Sequence, residues 1–141
     1  MINKVLKIFI IILFFSPNIL VANTEYFKEG LSLFKNKKFD EAKFKFEQDI
    51  VFNPKSEMSY LYLSKIFNNL DKKDLEEQNL NTVILLNPQN EEAIYNLAKL
   101  KLDTSDYQKS KELNDRLINF CKKLCSESQK LKIEIENLSK K

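Results

Sequence analysis

The stretch Asn23–Ser56, NTEYFKEGLSLFKNKKFDEAKFKFEQDIVFNPKS, decides the fold. Inside it stands Gly30, the one glycine in 141 residues, within a run of helical apolar spacing: Tyr26, Phe27, Leu31, Leu33 and Phe34. A glycine in a helix interior costs about 1 kcal/mol against alanine, so its position needs a packing reason. The reason expected is a second helix pressing on the backbone at Gly30. The run after Asn36-Lys37-Lys38 supplies one, with Phe39, Ala42, Phe46 and Ile50 on one helical face. Asn53-Pro54 ends it, because proline has no N–H to donate and biases the residue before it away from helix. The unit predicted is an antiparallel helical hairpin.

A shift of 34 residues finds the hairpin again, twice. Asn53-Pro54 returns as Asn87-Pro88, and Tyr26 maps to Tyr60 and Ile94. The small residue Gly30 maps to Ser64 and Ala98; Ile50, Ile84 and Ile118 align, as do Phe52, Leu86 and Phe120, and Phe39 returns as Tyr107. Three repeats follow, 23–56, 57–90 and 91–124, and residues 125–141 form a closing helix and tail. In that last segment Leu131, Ile135 and Leu138 share a stripe, flanked by Ile133, and Ser126 with Gln129 has capping-box spacing. Thr104, Ser105 and Asp106 are all able to cap the second helix of repeat three, and the glycine-free turn Asn69–Lys72 is expected to place an asparagine in any left-handed position.

These residues resemble the tetratricopeptide repeat (TPR) family. Its helix pair has an early aromatic, a small residue four positions on, an aromatic-acid-acid-alanine start to the second helix and a terminal proline. Here those are Tyr26, Gly30, Phe39-Asp40-Glu41-Ala42, Phe46 and Pro54. The sequence departs from the pattern at Glu29, at Glu76 in place of the second-helix alanine of repeat two, and at Lys101 and Asn114 in place of large apolar residues in repeat three. The resemblance implies an all-α, TPR-type solenoid of three hairpins plus a capping helix.

Residues 1–22 have the order of a secretory signal peptide: Lys4 and Lys7, the apolar Ile8–Phe15, then Leu20-Val21-Ala22 as a cleavage site. Cleavage there starts the mature chain at Asn23, where the first repeat begins, and implies export to the periplasm. An uncleaved inner-membrane anchor facing the periplasm is the alternative, weakened by Ser16-Pro17-Asn18 interrupting a span that needs about 20 apolar residues. Loss of the two leader lysines lowers the net charge from +3 to +1, with acids and bases interspersed, which argues against a nucleic-acid partner.

Catalytic chemistry has few carriers. The chain has no histidine, the commonest general base and metal ligand. No phosphate, nucleotide or zinc motif is present, so neither catalytic residues, cofactor nor metal are expected, and the chain reads as non-enzymatic. Glu57 and Glu91 are read as helix-start acids favoured by the macrodipole. Cys121 and Cys125 are four apart, but the repeat register puts Cys121 at an inter-repeat turn and Cys125 at the start of the next helix. In an exported protein the pair is expected to form a disulfide fixing the capping helix. A redox-active or metal-binding pair is the other reading.

The TPR resemblance implies an adaptor holding a protein or peptide partner in a concave groove, and the leader is expected to place it in the bacterial cell envelope. The family's groove positions carry over to Phe27, Leu31, Phe34 and Lys35 in repeat one. In repeat two they are Met58, Leu61, Lys65 and Asn68, and in repeat three Tyr95 and Lys99. Phe27, Leu31, Phe34 and Leu61 are expected as an exposed apolar anchor, with packing into the core or self-association as the competing reading, and Lys65 and Lys99 as a basic rail for an acidic segment. The alternative function is a thiol-disulfide or chaperone-like accessory in envelope protein maturation that works through Cys121 and Cys125.

Overall fold

The computed structural model describes residues 24–140; the predicted leader lies outside them. Among the described residues seven helices follow one another: α1 Glu25–Lys35, α2 Phe39–Phe52, α3 Glu57–Asn69, α4 Lys73–Leu86, α5 Glu91–Asp103, α6 Tyr107–Ile118 and α7 Cys125–Leu138. They pack as three hairpins, α1 with α2, α3 with α4 and α5 with α6, each laid against the next, and α7 closes the open side of α6. Among the described residues no helix is long and apolar enough to cross a membrane.

Gly30 has the packing reason expected of it. A Cβ built there would lie 2.8 Å from Cε1 and 2.9 Å from Cδ1 of Phe46, whose side chain is fully buried. Phe46 in turn stacks on Tyr62 of the next hairpin at 5.2 Å between ring centroids and tilts against Phe27 at 5.7 Å. The first core is built on this contact, with Ala42, Leu63, Ile66 and Phe67. The second core joins Leu61, Leu80, Ile94, Leu97, Leu113 and Leu117 to Leu131 and Ile135 of α7. Because α3 sends Leu63 and Ile66 one way and Leu61 the other, it is the wall the two cores share.

The turns inside the hairpins repeat as strictly as the helices. Lys37, Asp71 and Ser105, spaced by the repeat length, have φ of 59°, 52° and 63°. The expected left-handed asparagine in the second turn is corrected to Asp71. The reversal falls at the same register position in every hairpin, which in the second is an aspartate that tolerates it, and Asn69 lies two residues earlier in the helix, its side chain donating to the Lys65 carbonyl at 2.7 Å.

Each departure from the repeat pattern has a local partner. Glu29 pairs with Lys45 across the first hairpin at 2.5 Å, and Lys101 pairs with Glu77 of the preceding hairpin at 2.6 Å. Asn114, buried against the capping helix, donates to the Ser128 carbonyl at 2.9 Å. Asp49 was not singled out by sequence reasoning. It is 1% exposed at the register position of Val83 and Leu117, and accepts hydrogen bonds from the Thr24 and Ser59 hydroxyls, which tie α1, α2 and α3 together.

Candidate functional site

The first helices of the hairpins, α1, α3 and α5, line a groove with two adjoining hollows. One, of about 290 Å³, is bounded by Phe34 of α1, Ser64, Lys65, Asn68 and Asn69 of α3, Glu76 of α4, and Asn96, Lys99, Leu100 and Asp103 of α5. The other, of about 510 Å³, is bounded by Met58 and Leu61 of α3, the segment Gln89 to Glu92, Tyr95 and Asn96, and Lys123 and Leu124 at the start of α7. Among the residues expected in the groove, Phe34, Lys65, Asn68 and Lys99 meet in the first hollow, and Met58, Leu61 and Tyr95 in the second. Phe27 edges a third hollow beside Met58, Leu31 is half-buried against the first core, and Lys35 is exposed in the last turn of α1.

The exposed apolar anchor is corrected in part. Phe27 is 5% exposed and Leu61 2%, so these two are core residues with an edge on the groove. The physical reason is that a helix between its own partner and the neighbouring hairpin has apolar neighbours on two sides. Phe34, half-buried, keeps its ring against Phe39 and Tyr62, at 5.5 and 5.1 Å between centroids. Met58, 41% exposed, is the groove's open apolar side chain.

Both lysines of the expected basic rail stand on the wall of the first hollow. Lys65 lies over the Tyr62 ring at 4.7 Å and is paired with Glu92 at 2.7 Å, so its charge is already met within the groove. Lys99 is exposed above Tyr95, 6.0 Å from the ring centroid. Across the same hollow Glu76 is buried, both carboxylate oxygens 3.1 Å from the Asn68 side-chain amide. Burial, the largest influence, raises its pKa above the ordinary 4.5; the Asn68 hydrogen bond opposes the rise and the Asp103 charge adds to it.

The far end of the groove is fixed by Glu91. Its carboxylate accepts hydrogen bonds from the backbone N–H groups of Lys122, Lys123 and Leu124, each at 2.9 Å. Glu57, one repeat earlier, holds the preceding turn in the same way, accepting from the side chains of Asn87 and Asn90. Both acids therefore clasp the next inter-repeat turn as well as opening their own helices. The capping box expected at Ser126 and Gln129 does not form, and no side chain caps α7. Helix α7 begins at Cys125 after the N-cap residue Leu124, and Glu91 holds the three residues that lead into it. Cys121 follows α6 and Cys125 opens α7; their Cα atoms are 5.3 Å apart and their sulfurs in bonding contact. No group of three or more metal-ligating side chains occurs among the described residues.

The clasp has a pH signature. The three N–H donors, foremost those of Leu124 and Lys123, hold the Glu91 pKa below 4.5. A depressed folded-state pKa contributes stability above the unfolded value that is lost as pH falls through the folded value. Glu91→Gln should therefore melt below the parent at neutral pH, and the gap should close as the pH is taken below 4.5. Circular dichroism melts across that range check this; an equal gap at every pH would remove the charge from the explanation.

A sheetless stack of helical hairpins with a groove along the first helices is a TPR-type solenoid, and that is the fold of this chain. No protein-family model matches the sequence, and no curated protein matches it. Solved structures do. The chain is similar to the first TPR of Spaghetti (RPAP3), solved bound to the HSP90 peptide SRMEEVD, with a TM-score of 0.74 at 16% identity over 82% of this chain and 91% of that one. It is similar to the Yersinia enterocolitica type III secretion chaperone SycD in complex with a peptide of the translocator YopD, with a TM-score of 0.75 at 12% identity over 83% and 93%. It is also similar to the TPR2B domain of yeast Sti1 in a pHsp70 complex, with a TM-score of 0.73 at 16% identity over 81% and 95%.

Proposed function

We propose that this protein is an exported, non-enzymatic scaffold of the bacterial cell envelope that holds a segment of a partner protein in the groove across α1, α3 and α5. The observation that carries the reading is the pair of adjoining hollows, open along one face and lined by side chains of successive repeats. The peptides seated on the RPAP3 and SycD domains support it. In this reading the leader sends the chain to the periplasm, where Cys121 and Cys125 stay oxidised and, with Glu91, set the pitch of α7 at the groove's end.

The test is capture from envelope extract by C-terminally tagged protein expressed with its leader, the N-terminus of the recovered chain being read in the same experiment. The expected result is a chain beginning at Asn23 that retains a specific partner. A variant with Met58→Ser and Tyr95→Ser should lose that partner while its helical content stays unchanged, since interface energy concentrates in a few such side chains. Recovery of intact chain from the cytosol would overturn the export reading, and capture unaffected by the double variant would overturn the groove reading.

A further inference from the structure

Position 76 breaks the repeat. Its register partners are Ala42 and Ser110, both fully buried, where the second helix of each hairpin packs on the first. Repeat two puts a glutamate in this small-residue site, and the side chain, 5% exposed, delivers its carboxylate to the wall of the 290 Å³ hollow. A buried carboxylate is costly unless a counter-charge and several hydrogen bonds meet it. Here one donor, the Asn68 amide, is shared between both oxygens, although a carboxylate has about four acceptor sites. Among the described residues neither Glu76 nor Asp103, on the same wall, takes part in a salt bridge; Lys65 beside them is bound to Glu92, and Lys99, exposed on the same lining, pairs with neither acid.

We propose that this hollow binds a basic side chain, arginine foremost, of the partner segment, with Glu76 and Asp103 as its counter-charges. The proposal rests on the groove reading above and adds the chemistry of what is bound. Arginine suits the site better than lysine because its planar fork of N–H donors can meet the carboxylate in two bonds while its other N–H groups turn to Asp103. Phe34 and the side-chain amides of Asn68 and Asn96 complete the walls, offering a ring for the guanidinium plane and carbonyl oxygens for its remaining donors. The charges near Glu76 are Asp103 and Asp71, which oppose its ionisation, and Lys73, which favours it. A cation entering the hollow supplies what that balance lacks.

The test is an NMR titration of the isotopically labelled chain with four capped tripeptides, Ala-Arg-Ala, Ala-Lys-Ala, Ala-Leu-Ala and Ala-Glu-Ala. The arginine peptide should shift the side-chain amide signals of Asn68 and Asn96 most. Its affinity should fall about tenfold in Glu76→Gln and in Asp103→Asn, as loss of one charged hydrogen bond implies. Glu76→Gln keeps the Asn68 contact and removes a buried charge, so it should melt no lower than the parent; a lower melting point would make the carboxylate a structural group and overturn the proposal. So would an arginine peptide that leaves these signals unmoved, or that binds both variants as it binds the parent. Shifts produced equally by the leucine or glutamate peptide would overturn the charge preference while leaving a groove that binds peptide. Failure of the groove itself is read separately, in the capture experiment.

Discussion

Phe46→Ala should cost this protein about 3–5 kcal/mol, the range for removing a buried phenylalanine side chain. The ring is fully buried and bridges the two hairpins, stacked on Tyr62 and packed on Phe27 and against the backbone at Gly30. A domain of this size has about 5–15 kcal/mol in all, so the loss takes much of the total. Urea denaturation should show the midpoint falling with an unchanged slope. A midpoint within experimental scatter of the parent would mean that the first core is not organised around Phe46.

The partner of that contact gives the second large effect. Gly30→Leu adds a branched side chain where even a Cβ falls 2.8 Å from the Phe46 ring. The ring has little room to retreat, since Tyr62 and Phe27 hold its other sides. Overpacking of this kind costs about 1–3 kcal/mol or somewhat more, against a gain of about 1 kcal/mol from replacing a helical glycine. The parent should therefore be clearly more stable than the variant. Because the two residues share one space, Gly30→Leu should cost less in a Phe46→Ala background than alone, a coupling readable in a double-mutant cycle. Strict additivity would place the two residues out of contact.

These two residues also mark what could be read from the sequence. A lone glycine within a helical apolar pattern implies a close neighbour, and the helical spacing of Phe39, Ala42, Phe46 and Ile50 named Phe46's helix as that neighbour. Register arguments work where every repeat solves the same packing problem, which is why the small-residue sites and the helix ends were legible. They are silent where one repeat solves it differently. Asp49 stands at a position that is Val83 and Leu117 elsewhere, and only the fold shows the Thr24 and Ser59 hydroxyls that make an acid acceptable there. Glu76 was visible as a departure from the pattern, but not as the wall of a hollow, because that wall needs α3 and α5 brought alongside α4. The surroundings of Lys65 and Lys99 were hidden for a related reason. Spacing put the two on one face, but the pairing of Lys65 with Glu92 joins two repeats and leaves no mark in a local reading. The start of α7 at Cys125 was legible from the register, whereas the Glu91 carboxylate that holds its lead-in comes from more than 30 residues earlier and left no local mark.

The central claim is that the partner lies in the groove of the first helices rather than on the opposite side, where Phe44, Val51 and Leu85 are also exposed. Amide hydrogen exchange of the chain with and without its captured partner tests this most directly. Added protection should fall on α1, α3 and α5 and on the segment Gln89 to Glu92, with α2 unchanged around Phe44 and Val51. Protection centred on Phe44, Val51 and Leu85, with the groove helices exchanging as before, would contradict the account.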